Sequence, residues 1–154
     1  SYTLDIYLRR AEPARNFLDY ALFVTFFPHL VAGPIMRPTE LVPQFELPRR
    51  ADARQLAFGL GLMTLGLFNK VVLADTLLSG AAERVYDAGR APGMLDAWIG
   101  TLAFSEQIFC DFAGYSTTAI GAALCLGFAI PDNFRFPYAA VGFSDFWRRW
   151  LITL

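Results

Sequence analysis

Residues 112–131, FAGYSTTAIGAALCLGFAIP, and residues 56–78, LAFGLGLMTLGLFNKVVLADTLL, decide the fold class. The first stretch contains no Asp, Glu, Lys or Arg. A helix of about 20 mostly apolar residues is what the hydrocarbon layer of a bilayer requires. The second stretch carries only Lys70 and Asp75 as charges. At about 1.5 Å of rise per residue, a helix from Leu56 puts Lys70 roughly 21 Å in and Asp75 roughly 28 Å in. Asp75 then reaches the far interface, and the long stem of Lys70 can snorkel there. Both stretches predict membrane spans, and the chain predicts an all-α, polytopic integral membrane protein.

Composition points the same way. Hydrophobic residues make up 55% of the chain and charged ones 18%, with a mean hydropathy of +0.39. Average soluble domains run lower in the first and nearer about 25% in the second. Fifteen Phe and three Trp are hard to hide in a small soluble core. The net charge of −1 and the lack of a basic stripe interleaved with exposed aromatics argue against a nucleic-acid partner. The chain opens on Ser1 without a signal-peptide pattern and stops at Ile152-Thr153-Leu154 inside an apolar stretch. Residues 1–154 therefore read as an internal fragment of a single domain.

Outward from the two spans, the pattern is less regular. A polar start through Asp19, with Arg9, Arg10 and Arg15, leads into a charge-free run from Tyr20 to Met36. Pro28, Gly33 and Pro34 interrupt that run, and basic residues flank it on both sides (Arg49, Arg50 and Arg54 after it). The positive-inside rule then has no asymmetry to act on, so a segment that enters and returns to one side fits better than a plain span. A loop with Glu83, Arg84, Asp87, Arg90, Pro92 and Gly93 is expected between the spans. The run from Ala97 to Pro131 is too long for one ordinary span and holds Glu106 and Asp111. Asp132 to Leu154 is aromatic and irregular.

Cys110 and Cys125 lie in apolar sequence without a partner pattern and read as small packing residues. His29 has no second ligand at metal spacing, so no metal site is expected. On a helix, Gln107, Asp111, Gly114, Thr118 and Ala122 share one small, polar face. Such a face is either a helix-packing seam, with Asp111 paired to a basic neighbour, or the wall of a polar pathway. The tail Asp145-Phe146-Trp147-Arg148-Arg149-Trp150 sets two cations between indoles. That pattern suits an interfacial anchor, or a place for an anionic headgroup or phosphate-bearing substrate.

Several blocks resemble, in order, the membrane-bound O-acyltransferases, and within them the alginate O-acetyltransferase-like branch. Residues 26–37, FFPHLVAGPIMR, are similar to that branch's FFPxLVAGPIxR segment, and Lys70 to Asp75 to its KVVxAD helix end. Gln107 to Ser116 resembles its QIYxDFSGYS block, and Ile120-Gly121 continues it. Pro131-Asp132-Asn133-Phe134 with Pro137-Tyr138 resembles PxNFxxPY, and Asp145 to Trp150 resembles the start of DFWRRWHISLS.

The resemblance implies a many-helix enzyme around a channel through the bacterial inner membrane. It would move an acyl group, usually from a coenzyme A thioester on the cytoplasmic side, to a hydroxyl. In this branch the acceptor is an exported polysaccharide or cell-wall glycan, often with periplasmic partner proteins. The family supplies a His after RRW and a second one further along, since an alcohol needs a base to take its proton. Here Leu151 stands in the first of those positions, Thr117 where the branch usually has Asp, and Ala113 where it has Ser. Leucine can neither take nor give a proton, so no catalytic residue is assigned and the fragment is expected to be inactive. Gln107, Asp111, Tyr115, Asn133, Asp145, Arg148 and Arg149 are the expected polar lining of the channel. The alternative is a non-enzymatic transporter subunit or scaffold that uses the same polar face for translocation.

Overall fold

A computed structural model describes residues 2–30, 33–46, 48–89 and 91–154. Val31 and Ala32 of the FFPHLVAGPIMR block, and Arg90 of the expected inter-span loop, lie outside the described residues. The architecture is helical: α1 (Tyr2–Tyr7), α2 (Phe17–Thr25), α3 (Pro38–Phe45), α4 (Ala53–Leu67), a π-helical segment (Phe68–Leu78), α5 (Ser79–Tyr86), α6 (Met94–Cys125) and α7 (Phe143–Arg149). Among the described residues, β pairing is limited to one isolated antiparallel bridge between Phe134 and Trp150.

The second apolar stretch lies, as expected, within one unbroken helical rod, Ala53–Tyr86, of 34 residues. Asp52 starts it: its carboxylate accepts from the Gln55 N–H at 2.7 Å, while the Gln55 side chain accepts from the Asp52 N–H at 3.1 Å. This reciprocal cap satisfies two of the donors that every helix start leaves open. The rod runs on through α5, so Glu83 and Arg84 are helical where a loop was expected. The charges there are spaced for a helix face, and no Gly or Pro breaks the chain before Gly89 and Pro92 except Gly80.

The other span is displaced from its expected limits. It runs Met94–Cys125, 32 residues, rather than 112–131. Gly127 ends it: at φ +83 it takes the left-handed conformation that closes helices at little cost for glycine. Upstream, Glu106 is exposed, and Asp111 meets a basic partner on the facing helix. Neither charge therefore forces a break. At about 1.5 Å per residue both rods exceed the hydrocarbon thickness of about 30 Å.

Glycine sets how the rods meet. A Cβ on Gly59 would stand 2.7 Å from the Gly121 carbonyl oxygen, and one on Gly66 would stand 2.5 Å from that of Gly114. Gly100 in turn faces Val85. Low numbers on one rod meet high numbers on the other, so the pair is antiparallel. Gly59 and Gly66, like Gly114 and Gly121, are two turns apart, which returns each to nearly the same face. Small residues allow this backbone approach where apolar surface alone gives helices no preference over lipid.

The run from Tyr20 to Met36 does not form a spanning helix in its described part. α2 has nine residues, about 14 Å, and a 3₁₀ turn at Phe27–His29 follows it. Phe23, Phe26, Met36 and Leu41 from this N-terminal part pack with Ala119, Ala123 and Ile130 into the hydrophobic core. Phe26, Phe45 and Phe128 meet edge to face there, with centroids 5.2–6.0 Å apart.

Candidate functional site

Two polar constellations stand out. The first lies in the seam between the rods. Lys70 Nζ is 2.8 Å from Asp75 Oδ1 and 2.6 Å from Asp111 Oδ1. The π segment explains the first contact. In an α-helix, residues five apart point about 140° away from each other, since each residue turns by about 100°. The wider π turn brings i and i+5 nearly into line. The Thr76 hydroxyl donates to the Val71 carbonyl at 2.7 Å across the same interval. Lys70 thus reaches Asp75, the residue expected at the far interface, and meets a second carboxylate, Asp111, across the seam.

That geometry also places the polar face of α6. Asp111, Gly114 and Thr118 face Lys70 and Gly66, with the Thr118 hydroxyl returned to the Gly114 carbonyl at 2.9 Å. This portion of the face is a packing seam with its acid paired, rather than an open wall. Cys125 joins the same seam against Gly59, its thiol 3.8 Å from the Leu56 carbonyl oxygen, and both cysteines are free thiols. Gln107 is half-buried, while Tyr115 is 43% exposed.

The second constellation gathers four distant pieces of chain around Asn133. This side chain is 3% exposed. Its Nδ2 donates to Ser116 Oγ on α6 at 3.1 Å. Its Oδ1 accepts from the Thr153 hydroxyl at 2.9 Å and from the Thr153 N–H at 3.4 Å. Its carbonyl accepts from the Ile152 N–H at 2.9 Å, and the Thr153 hydroxyl oxygen accepts from the Ile35 N–H at 2.8 Å. On the other side of position 151, the Arg135 N–H donates to the Arg149 carbonyl at 2.9 Å. Buried amides are expected to be satisfied, and this one is.

Aromatic rings cover this junction. Trp150 stacks on Phe146 with centroids 5.4 Å apart and meets Phe134 edge-on at 5.2 Å. Phe109 of α6 contacts Phe134, Tyr138 and Trp150. The Tyr138 hydroxyl donates to the Ser105 carbonyl at 2.8 Å, and its burial pushes its pKa above the ordinary tyrosine value. On α7, Asp145 accepts from Arg149 Nε at 3.0 Å and from the Val141 N–H at 3.1 Å. Those bonds, the arginine first, hold its carboxyl below the usual carboxylate range. His29 packs against Phe23 and Phe26, with ring centroids 5.7 and 5.9 Å away.

The seven expected lining residues thus separate by environment. Asp111 belongs to the seam, Asn133 to the junction, and Asp145 and Arg149 to each other, while Arg148, next to the half-exposed Trp147, is exposed. Sequence reasoning missed Thr153 and Ser116 as partners of Asn133, which are 20 and 17 positions away. It placed Gly114 on a packing seam but did not assign Gly59, Gly66 or Gly121 to it, although their seven-residue spacing was there to be read.

Residues 12–154 match the membrane-bound O-acyltransferase family. The chain is 44% identical over 141 residues to a peptidoglycan O-acetyltransferase of Helicobacter pylori, covering 90% of this chain and 27% of that protein. It is 41% identical over 154 residues to a probable alginate O-acetylase of Pseudomonas aeruginosa, covering 100% of this chain and 29% of the relative. A teichoic acid D-alanyltransferase of Bacillus subtilis is 30% identical over 139 residues, covering 86% of this chain and 34% of the relative. The chain therefore spans about a third or less of the length of these relatives. With two helices among the described residues long and apolar enough to cross a bilayer, and with matching sequence along nearly its whole length, the chain belongs to the membrane-bound O-acyltransferase family, a family of integral membrane proteins.

Proposed function

We propose that this chain is part of an enzyme of the cytoplasmic membrane that transfers an acyl group, acetyl above all, to hydroxyls of an exported polysaccharide or cell-wall glycan. The identity of about 40% along the entire chain to proteins named for O-acetylation of such polymers carries the proposal. The donor is an acyl-coenzyme A arriving from the cytoplasmic side, and periplasmic proteins of the acetylation machinery are the expected partners. The protein is polytopic, and residues 20–36 are re-entrant: their described helix is too short to cross, and both flanks are basic.

Acyl transfer to an alcohol needs a proton acceptor at the nucleophilic oxygen as the carbonyl is attacked. Position 151 is where the family pattern places a histidine, and Leu151 has no group that can accept a proton. The residues of the junction hold the chain around that position, while exposed Tyr115 and Arg148 are the ones available to a passing substrate. The translocation alternative finds less support, since the Asp111–Gly114–Thr118 part of the face it would use is occupied by Lys70 and Gly66.

The experiment is to assay the whole protein in membranes with acetyl-coenzyme A and a panel of non-acetylated alginate and peptidoglycan. The form with Leu151 is expected to be feeble, and Leu151→His to raise acetylation by about 10²- to 10⁴-fold, the usual yield of a positioned acid–base group. Equal, robust acetylation by both forms would remove position 151 from the proton chemistry. For the re-entrant segment, single cysteines at Ala11 and Ala51 should react with an impermeant thiol reagent from the same, cytoplasmic side. Labelling from opposite sides would make the segment a span.

A further inference from the structure

We infer that Asn133 is the positioning residue that sets the direction of the side chain at position 151. The inference rests on the proposed role of that position in acyl transfer.

Residue 151 is held from both sides by one short stretch of chain. Before it, the Arg149 carbonyl accepts from the Arg135 N–H, and Trp150 pairs with Phe134 in an antiparallel bridge. After it, the Ile152 N–H reaches the Asn133 carbonyl, and both the N–H and the hydroxyl of Thr153 reach Asn133 Oδ1. Residues 133–135 thus grip residues 149, 150, 152 and 153. Leu151 alone stands out of that pairing, at φ +49. A left-handed backbone is unfavourable for leucine, and it persists only where the surroundings over-determine it. Here the surroundings are the bonds to Asn133 on one side and the bridge on the other. The left-handed turn at 151 rotates the Cα–Cβ bond away from where an extended residue would aim it. Asn133 therefore decides where any side chain at 151 points.

The anchor is rigid because Asn133 is itself fixed. Its Nδ2 is tied to Ser116 on the 32-residue helix α6, and the Thr153 hydroxyl carries the contact on to the Ile35 N–H. Position 151 is thereby referred to a membrane span and to the N-terminal part together. Left-handed backbone is tolerated by His, Asn and Asp far better than by β-branched or bulky residues. The same frame would accept an imidazole at 151 without rebuilding.

The test is a cycle of variants in the whole protein, in membranes, with acetyl-coenzyme A and the same alginate and peptidoglycan acceptors. The quantity read is the gain in kcat produced by Leu151→His, measured in the otherwise unaltered protein, with Asn133→Ala, with Thr153→Val and with Thr153→Ser. Damage that merely lowers the amount of folded protein scales the Leu and His forms alike and leaves this ratio unchanged. The expectation is that Asn133→Ala and Thr153→Val each cut the gain at least tenfold, chiefly in kcat rather than KM, and that Thr153→Ser, which keeps the hydroxyl, retains it. Misplacement by about 1 Å can cost about 10²-fold. A gain that survives Asn133→Ala and Thr153→Val undiminished overturns the positioning role and leaves the acyltransferase proposal standing. No gain from Leu151→His on any acceptor, with Asn133 and Thr153 intact, overturns both.

Discussion

Lys70 Nζ stands 2.6 Å from Asp111 Oδ1, across the seam between the two rods that are long and apolar enough to span a membrane. The same ammonium reaches Asp75 on its own rod at 2.8 Å, which leaves two carboxylates sharing one cation. Ionisable groups in membrane helices are expected to face protein and to pair. Here the pairing also fixes the register of one helix on the other, because only a π turn lets Asp75 reach Lys70 while Lys70 reaches Asp111.

Removing the cation should therefore cost more than removing either acid. Lys70→Met is expected to lower stability in detergent micelles by about 1–2 kcal/mol, less than the roughly 3–5 kcal/mol of a broken, fully buried pair, because these side chains are only partly buried. Lys70→Met combined with Asp111→Leu should be milder than the sum of the two single changes. Strict additivity in thermal unfolding would show that the pair is not coupled.

Gly66 and Gly61 sit on the same helix in opposite circumstances. A Cβ on Gly66 would fall 2.5 Å from the Gly114 carbonyl oxygen, a backbone atom that cannot step aside, whereas one on Gly61 meets nothing within 4 Å. Gly66→Ala should push the rods apart and lower the melting temperature. Gly61→Ala should be neutral or raise stability by about 0.5–1 kcal/mol through helix propensity. Matching melting temperatures for the two variants would refute the close approach.

Asp145 gives the last helix a dependence on pH. Its carboxyl is held below the usual 3.8, by Arg149 first and by the Val141 N–H second. A depressed folded-state value means stability that is fully present above the unfolded-state pKa and is lost as pH falls through the folded-state one. Fluorescence of Trp147 and Trp150 should thus report loosening of Phe143–Arg149 only as pH drops below about 4. In Asp145→Asn the acid-induced change should vanish, and the helix should already be loosened at neutral pH. An unchanged acid transition in that variant would assign it to another group.

Leu151 pays for its left-handed backbone, at φ +49, with a conformational cost that glycine does not bear. Leu151→Gly should offset most of what it loses in apolar burial, leaving stability within about 1 kcal/mol of the original. Leu151→Val, β-branched and therefore worst suited to this conformation, should be the most damaging small change. Chemical denaturation of the three forms decides the order. Valine tolerated as well as glycine would mean that the turn is not strained.

The amino-acid sequence by itself determined the helical, membrane-spanning character of this protein, because apolar runs of sufficient length and their charges are local properties. The runs 56–78 and 112–131 announce helices without reference to anything beyond themselves. It also carried, in its ordered blocks, the family to which the chain belongs. The tertiary structure alone decided where the second span starts and ends, since whether Asp111 interrupts a helix depends on Lys70 being opposite it. It alone brought Lys70 to both Asp75 and Asp111, with Phe68–Leu78 wound into a π segment. And it alone made Asn133 a clamp rather than a lining residue, because Ser116, Ile152, Thr153 and the chain at Ile35 meet only when the elements pack. Periodicity reports which face of a helix is apolar. It holds no information on which distant polar atom will satisfy a buried amide, since that partner is selected by the geometry of the closed fold.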